Sequence, residues 1–364
     1  MQFLLACLVG LNSRRAFAQT EDSLLHFVRG ETTEDVVSGS DPAERYAVFL
    51  PSTYKPDRTA PVLFLMDPRG RATVPLKLFR DAADQFGFVL ISSYNTLSDA
   101  DSAYTADDKA LSAMLIDAQA RFAVDPKRFY LVGFSGTAHY AWTIAPQLDG
   151  HLAGIMGAGG GLPSYSEPIQ RALKARYPFV FFATAGMADF NFDGVRYLDQ
   201  ALDSTNFPHR FVAHEGRHSW PPEHIAHDVV EWFHLQAMRA GLAPRNETFI
   251  DATRKKYLFE ASALEASGRR ADAYRRYREI IQDFEGLGGS PEAHKRFESL
   301  GRERSVGREF ARRAEIARRV IKYQLKVRSF CLDYRKAKNI PTLEKARGKL
   351  HIEKLKKRAE SQDG

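Results

Sequence analysis

Three residues in this sequence have the types and the order that nucleophilic catalysis requires. The first is Ser135, which lies in Gly133-Phe134-Ser135-Gly136, directly after an apolar run and before a helix-compatible run from Ala138. This pattern is typical of a nucleophile elbow, a sharp turn between a strand and a helix that exposes a serine hydroxyl. Because a serine hydroxyl is a weak nucleophile at neutral pH, it needs a neighbouring base.

The other two residues are Asp189 and His218. Each follows an apolar run that predicts a buried strand, and both come after Ser135 in the chain order serine, acid, histidine that elbow-bearing folds use. We expect His218 to take the proton from Ser135 and Asp189 to hold the imidazole in the correct tautomer. Asp193 remains an alternative acid, and His214 remains an alternative base.

An oxyanion site is the remaining requirement, because acyl transfer passes through a tetrahedral intermediate that carries a negative charge. The backbone N–H of Gly136, directly after the serine, is one predicted donor. The other should come from the loop at residues 67–71, which reads Asp-Pro-Arg-Gly-Arg. Pro68 has no N–H, so Arg69 or Gly70 is the candidate.

Two other patterns indicate chemistry less strongly. His224, His227 and Asp228 could suggest a metal site, but they fall on one predicted helix without a clear third ligand from elsewhere, so we interpret them as helix-surface residues. The glycine run at 157–161 lacks the spacing and the lysine of a phosphate-binding loop, so we interpret it as a loop after a strand. No metal is expected.

The elements that would position these residues alternate between strands and helices. This alternation predicts a doubly wound, mostly parallel α/β sheet, with the chemistry collected at the carboxyl ends of the strands. The predicted strands are 45–51, 61–66, 88–93, the run before the elbow, 151–156, 179–184 and 209–214. The predicted helices are 76–87, 106–124, 195–202 and 223–242.

The region 44–242 resembles the α/β-hydrolases, in particular esterases of the polyhydroxybutyrate-depolymerase and feruloyl-esterase type. The motifs that carry the resemblance are the Gly-Phe-Ser-Gly elbow, Gly-x-x-Asp before Asn191, and His-Ser-Trp-Pro from His218. It implies a serine-triad ester hydrolase without a cofactor, acting on a small-molecule or polymeric ester. Phe134, Asn191 and Trp220, which lie within or beside these motifs, are expected to line the substrate pocket.

Two residues depart from the family pattern. Thr137 stands where the elbow usually has its second glycine, and Asp67 stands where a His-Gly pair often opens the oxyanion loop. These departures concern the oxyanion geometry more than the three catalytic candidates. They also motivate an alternative function, in which a degenerate hydrolase carries a binding or scaffold domain.

The part of the chain after residue 243 differs in both charge and pattern. It holds 31 Lys and Arg against 18 Asp and Glu, a net charge of +13, whereas the chain as a whole has a net charge of +7. No strand-like runs remain there, which predicts a smaller all-α domain at 244–364. Residues 257–284 predict two helices around Gly268 and resemble one tetratricopeptide unit. This domain is a candidate surface for a protein partner, and we expect no nucleic acid, because aromatic residues are few and glutamates interrupt the basic runs.

The first eighteen residues predict a secretory signal peptide. A short apolar core at 3–11 precedes Ala16-Phe17-Ala18, an A-x-A cleavage site. We therefore expect a secreted or periplasmic protein with a catalytic domain at 19–243 and no transmembrane span. Cleavage would remove Cys7 and leave Cys331, so no internal disulfide is expected.

The function predicted overall is that of a serine esterase that forms an acyl-enzyme, with a serine peptidase of the same fold as an alternative.

Overall fold

The structure is a computed structural model that describes residues 27–100, 104–148, 150–162, 179–205, 207–337 and 343–360. The predicted signal peptide lies outside these residues. Within the described ranges, no helix combines the length and the apolar character that a membrane span requires.

A single eight-stranded sheet forms the core of the molecule, with the strand order β1-β2-β4-β3-β5-β6-β7-β8. Strands β3 to β8 run parallel to one another, and β2 runs antiparallel to both of its neighbours, β1 and β4. The doubly wound, mostly parallel sheet predicted from the sequence is therefore confirmed. The strands are β1 Thr32–Val37, β2 Arg45–Phe49, β3 Ala60–Met66, β4 Val89–Ser93, β5 Val124–Phe134, β6 Leu152–Ala158, β7 Val180–Gly186 and β8 His209–His214.

Helices cover both faces of this sheet, because strands that are apolar on both sides need a layer on each. Helices α1 (Thr73–Phe86) and α5 (Glu223–Arg239) bury their apolar stripes on one face. Helices α2 (Thr105–Arg121), α3 (Gly136–Ile144) and α4 (Phe192–Asp203) cover the other face. A short 3-10 helix at Ala145–Leu148 follows α3.

Two differences from the predicted elements have clear causes. Strand β1 was missed because its sequence, Thr-Thr-Glu-Asp-Val-Val, is polar and half exposed, and it is held only as an antiparallel edge. Helix α2 ends at Arg121, three residues before the predicted end, because β5 begins at Val124 and includes Pro126. The pairing of β5 with β3 shifts register after Val124, and so Pro126 is accommodated at an irregularity.

Three helices after residue 243 belong to the same compact unit as the sheet. They are α6 (Glu247–Ala266), α7 (Arg270–Asp283) and α8 (Pro291–Gly301), and the unit ends at Arg302. The predicted helix pair around Gly268 is confirmed, and this glycine adopts φ of 78° between α6 and α7. The domain boundary at residue 244 and the tetratricopeptide likeness remain predictions.

A buried carboxylate attaches helix α7 to the sheet and to α5. Asp283 is 5% exposed. It accepts hydrogen bonds from Trp232 Nε1 at 2.7 Å and Gln236 Nε2 at 2.8 Å, and it pairs with the guanidinium of Arg210 on β8. The Arg210 guanidinium also lies 4.2 Å from the ring centroid of Tyr257 on α6. The Arg210 side chain of the edge strand β8 is thus held by both helices of the hairpin.

The second compact unit begins at Glu303 and is helical in its described part. It contains α9 (Arg304–Ala337), α10 (Leu343–Leu350) and α11 (Ile352–Glu360). His351 takes φ of 53° and separates α10 from α11. Pairs such as Arg313 with Glu309 support α9 along its exposed surface.

We predict that Asp283→Ala lowers the free energy of unfolding by about 3–5 kcal/mol, because it leaves the Arg210 guanidinium buried without its partner. Urea denaturation followed by circular dichroism measures this change. Asp251→Ala is the matched control, because Asp251 pairs with Arg254 on the surface and such pairs contribute at most about 1 kcal/mol. Equal losses in the two variants would contradict the buried-pair interpretation.

A second buried charge cluster joins β8, α4 and α7. The Nε2 atom of His209 lies 3.3 Å from a carboxylate oxygen of Asp199 and 3.3 Å from one of Asp203. These two carboxylates in turn pair with Arg275 and Arg278 on α7. Burial alone would lower the pKa of His209, but the contacts with the carboxylates raise it to about 9. His209 is therefore a buried cation at neutral pH.

We predict that this histidine makes stability depend on pH in the alkaline range. Because its pKa is higher in the folded state than the ordinary value of 6.5, its contribution is complete below pH 6.5 and disappears as the pH rises through 9. The free energy of unfolding should fall by up to about 3 kcal/mol between pH 6.5 and 10. His209→Gln should lack this component, and a variant with the same pH profile as the wild type would refute the assignment.

Candidate active site

The elbow at Ser135 is strained, and Gly133, two residues before the serine, has no room for a side chain. Ser135 adopts φ of 54° and ψ of −116° between β5 and α3, a conformation that costs a non-glycine residue about 1–3 kcal/mol. A side chain at Gly133 would place its Cβ 2.5 Å from the Thr137 carbonyl oxygen. The glycine before the serine is therefore required by the close approach of strand and helix.

Thr137, which departs from the family pattern, bonds the elbow to the neighbouring strand. Its Oγ1 accepts a hydrogen bond from the Phe134 N–H at 2.9 Å and donates to the Met66 carbonyl oxygen at 2.6 Å. Both contacts are buried. The threonine therefore joins the end of β5 to the end of β3, and it adds two hydrogen bonds to the elbow that a glycine could not make.

The three residues predicted from the sequence lie in one hydrogen-bonded chain. His218 Nε2 lies 2.9 Å from Ser135 Oγ, and His218 Nδ1 lies 2.8 Å from Asp189 Oδ2. Asp189 is 6% exposed, and its other oxygen accepts the Asn191 N–H at 2.7 Å. With a proton on Nδ1 donated to Asp189, Nε2 is left to accept the serine hydroxyl.

The two alternatives for acid and base lie elsewhere. Asp193 sits in the first turn of α4 and accepts a hydrogen bond from Arg196. His214 is the last residue of β8, and its Nδ1 contacts the carbonyl oxygen of Glu215 at 2.8 Å. The structure thus brings Asp189, and not Asp193, to His218.

Backbone contacts between two loops fix the spacing of Asp189 and His218. The Met187 N–H donates to the His214 carbonyl oxygen at 2.8 Å, and the Ala188 N–H donates to that of Gly216 at 2.9 Å. These bonds extend the β7–β8 pairing beyond the strands. The acid and the base therefore leave the sheet side by side.

The glycine run after β6 forms the floor of the site, a role that the sequence did not predict. Gly159 has φ of 57°, and a Cβ there would lie 2.7 Å from Asp189 Oδ2 and 2.9 Å from His218 Nδ1. A Cβ at Gly160 would lie 2.7 Å from the Ser135 carbonyl oxygen. The Asn191 side chain donates to the Gly159 carbonyl oxygen at 2.8 Å. Asn191, predicted to line the substrate pocket, thus holds this loop beside the acid.

The predicted oxyanion donors differ in whether their N–H groups are already hydrogen-bonded. Gly136 is the first residue of α3, where an N–H has no partner within the helix and the helix dipole favours negative charge. In the loop after β3, however, the Arg69 N–H donates to Asp67 Oδ1 at 3.0 Å, and the Gly70 N–H donates to the Asp67 carbonyl oxygen at 3.0 Å. Both N–H groups expected from this loop are thus hydrogen-bonded to Asp67 in this structure.

Asp67 is the centre of a buried polar cluster beside the elbow. Its carboxylate is fully buried and accepts hydrogen bonds from Arg71 at 2.9 and 2.8 Å and from Trp220 Nε1 at 2.8 Å. Trp220, predicted to line the pocket, is therefore fixed by a hydrogen bond to the loop after β3. Asp67, which departs from the family pattern, thus holds this loop, Arg71 and the tryptophan of the loop after β8 in one arrangement.

Aromatic rings enclose the base. The ring centroid of Phe134 lies 4.6 Å from that of His218 and 5.6 Å from that of Trp220. Phe134 is 5% exposed, so it supports His218 from behind and offers little surface to a substrate. Phe190 lies 4.3 Å from His218, and it is 72% exposed. Its position directly after Asp189 was the signal in the sequence that could have identified it.

His227 and Asp228, two of the three residues on α5 that could have suggested a metal site, make other contacts. His227 Nε2 lies 2.9 Å from Gln85 Oε1, and Asp228 accepts a hydrogen bond from Lys256 at 2.8 Å. Across the residues that the structure describes, no group of three or more His, Cys, Asp or Glu side chains is placed to hold a metal ion.

Comparisons with known proteins give low-identity structural neighbours. No protein-family model matches the chain, and no curated protein matches it. An S-formylglutathione hydrolase from Staphylococcus aureus is similar at 14% identity over 58% of this chain and 99% of that chain, with a TM-score of 0.45. A ferulic acid esterase is similar at 15% identity over 57% of this chain and 97% of that chain, with a TM-score of 0.45. Thermogutta terrifontis esterase 2, phosphonylated by sarin, is similar at 14% identity over 59% of this chain and 96% of that chain, with a TM-score of 0.42.

Because these scores are low, the fold class rests on the chain's own strand order and elbow. A mostly parallel sheet with a serine exposed on a strand-to-helix turn, followed by an acid after β7 and a histidine after β8, has the α/β-hydrolase arrangement. The predicted α/β-hydrolase fold is confirmed on that ground.

We predict that Gly159→Ala disrupts the site while the protein still folds. The new Cβ would lie within 3 Å of both Asp189 and His218, so the contact between these side chains must lengthen. Labelling of Ser135 by a fluorophosphonate probe should slow at least ~10-fold, on the scale of a lost general base. Gly194→Ala is the matched control, because nothing lies within 4 Å of a Cβ at that position. Unchanged labelling in Gly159→Ala would contradict the packing described above.

Proposed function

We propose that this protein is a serine hydrolase that cleaves carboxylic esters through an acyl-enzyme on Ser135. The observation that carries the proposal is the chain of hydrogen bonds from Asp189 through His218 to Ser135. Acyl transfer to serine needs a nucleophile, a base beside it and an acid that orients the base. Here these are a strained serine at a helix N-terminus, a histidine 2.9 Å from its hydroxyl and a buried aspartate behind that histidine.

In the first half of the reaction, Ser135 Oγ attacks the carbonyl carbon of the ester. His218 Nε2 accepts the hydroxyl proton as the C–O bond forms, and Asp189 stabilises the resulting imidazolium through Nδ1–H. The carbonyl oxygen becomes an oxyanion beside the Gly136 N–H. When the tetrahedral intermediate collapses, His218 returns its proton to the leaving alkoxide, and the alcohol departs.

In the second half, water replaces the alcohol. His218 takes a proton from the water as its oxygen attacks the acyl-enzyme carbonyl carbon, and a second tetrahedral oxyanion forms at the same place. Collapse breaks the bond to Ser135 Oγ, which receives the proton back from His218. The products are an alcohol and a carboxylic acid, and this cycle uses no cofactor.

The same machinery could serve a peptidase, because it also cleaves amides. Ester hydrolysis is preferred here because the sequence motifs resemble those of esterases, and a panel that contains matched ester and amide substrates separates the two. Small-molecule and polymeric esters both remain candidates. The predicted secreted or periplasmic location and a protein partner for the basic helices also remain proposals.

The alternative of a scaffold with a degenerate site is less well supported. It was motivated by Thr137 and Asp67, yet Thr137 bonds the elbow to Met66 and Asp67 bonds Arg71 and Trp220. Both departures thus add contacts around the elbow, and neither displaces Ser135 from His218.

We predict that Ser135→Ala reduces hydrolysis of a short-chain p-nitrophenyl ester to the level of buffer, because the acyl-enzyme can no longer form. Initial rates of p-nitrophenol release measure this loss, and a fluorophosphonate should label the wild type but not the variant. Ser204→Ala is the control: Ser204 lies at the end of α4, and its hydroxyl donates to Ala201. Activity that persists in Ser135→Ala would refute the assignment, and a wild type that fluorophosphonate does not label would favour a scaffold.

A further inference from the structure

The oxyanion of the proposed reaction has one donor in this structure, the N–H of Gly136. Acyl-transfer sites normally aim at least two donors at the developing charge, and the loss of one costs roughly 10²–10³ in kcat. The N–H groups of Arg69 and Gly70, where the second was expected, are bonded to Asp67. A donor from a neighbouring element would complete the pair.

The loop after β4 reaches the elbow at Ser98. A Cβ at Gly136 would lie 2.7 Å from Ser98 Oγ and 3.0 Å from Ser98 Cβ, so this serine packs directly against the residue that follows the nucleophile. The loop is fixed there by two contacts with the loop after β3. The Asp99 N–H donates to the Pro68 carbonyl oxygen at 3.2 Å, and the Asp99 carboxylate accepts from Arg69 Nε at 2.7 Å.

The Ser98 hydroxyl is buried and has no hydrogen-bond partner among the residues that the structure describes. Leaving such a group unsatisfied costs about 1–3 kcal/mol. An alanine at this position would fit against Gly136 equally well and would avoid that cost. A buried hydroxyl without a partner, packed against the residue that carries a backbone donor of the proposed site, needs an explanation.

We propose that Ser98 is the second oxyanion donor. This inference rests on the proposed esterase function and deepens it. In the resting state the hydroxyl lies against Gly136, and rotation about its one side-chain torsion moves Oγ between staggered positions. As the acyl carbon becomes tetrahedral, the Ser98 O–H donates to the oxyanion alongside the Gly136 N–H. The proton stays on Ser98, so the step involves no transfer.

The position of Ser98 explains two features of the sequence together. Gly136 has no side chain because Ser98 occupies the space that one would fill. Asp67 can engage the N–H groups of Arg69 and Gly70 because the donor is supplied by the β4 loop instead. The substrate needs only a carbonyl oxygen to use this donor, so the assignment holds for either an ester or an amide.

The test compares Ser98→Ala and Ser98→Cys with the wild type in the full-length protein. Cysteine fills a similar volume but is a weak hydrogen-bond donor, so it separates loss of packing from loss of donation. We expect both variants to lose roughly 10²-fold in kcat with KM little changed, because the bond forms only in the transition state. Ser112→Ala is the control, because Ser112 is also partly buried and donates to Asp108 on its own helix.

The rate of fluorophosphonate labelling is a second readout that does not require the natural substrate to be known. Its phosphoryl oxygen occupies the place of the oxyanion, so labelling should slow in both Ser98 variants. If Ser98 is only a packing residue, Ser98→Ala will keep the wild-type kcat and labelling rate and will unfold at the same or a higher temperature, and Ser98→Cys will match it. That result overturns the inference alone. A wild type that neither hydrolyses esters nor reacts with the probe overturns the proposed function, and this inference with it.

Discussion

The strained backbone of Ser135 is the constraint on which the site depends. A serine at φ of 54° and ψ of −116° is held there by the structure around it, since no local preference favours that conformation. The restraints come from three places. Strand β5 provides Gly133, which allows close contact with Thr137, and β3 provides the Met66 carbonyl oxygen that Thr137 bonds. The loop after β6 provides Gly160, which packs against the Ser135 carbonyl group. Parallel strands that end at one level make this possible, because their carboxyl ends meet in one layer.

A single buried carboxylate organises the other side of the site. Asp67 is fully buried, and a charge in that position is tolerated only when it is well hydrogen-bonded. Arg71 and Trp220 supply side-chain donors, and the Arg69 N–H supplies a third contact. The cost of this arrangement is that the loop's N–H groups face Asp67. With these N–H groups bonded to Asp67, the proposed second donor comes from the loop after β4, where the Ser98 hydroxyl lies against Gly136.

Much of the fold and the chain of Ser135, Asp189 and His218 could be predicted from the sequence, because strands buried on both faces appear as continuous apolar runs and their ends mark one edge of the sheet. What escaped prediction depends on contacts between segments distant in sequence. The polar strand β1 has no apolar run and forms only because β2 offers it an edge. The role of Gly159 depends on how closely Asp189 and His218 approach it. The Arg69 N–H bonds the Asp67 carboxylate and the Gly70 N–H bonds the Asp67 carbonyl oxygen, and spacing alone does not determine these contacts.

The helical layer after the last strand also bears on the site, through α4. This helix begins at Phe192, three residues after Asp189, and its later turns carry Asp199 and Asp203, which pair with Arg275 and Arg278 on α7. The same α7 holds Asp283, which fixes β8 through Arg210, and β8 leads directly to the loop of His218. The acid and the base of the proposed site therefore leave elements that are both anchored to one helix outside the sheet. The distance between Asp189 and His218 sets the orientation of the imidazole. Because elements that lead to both residues are anchored to α7, we expect this helix to help to hold that distance in the proposed site.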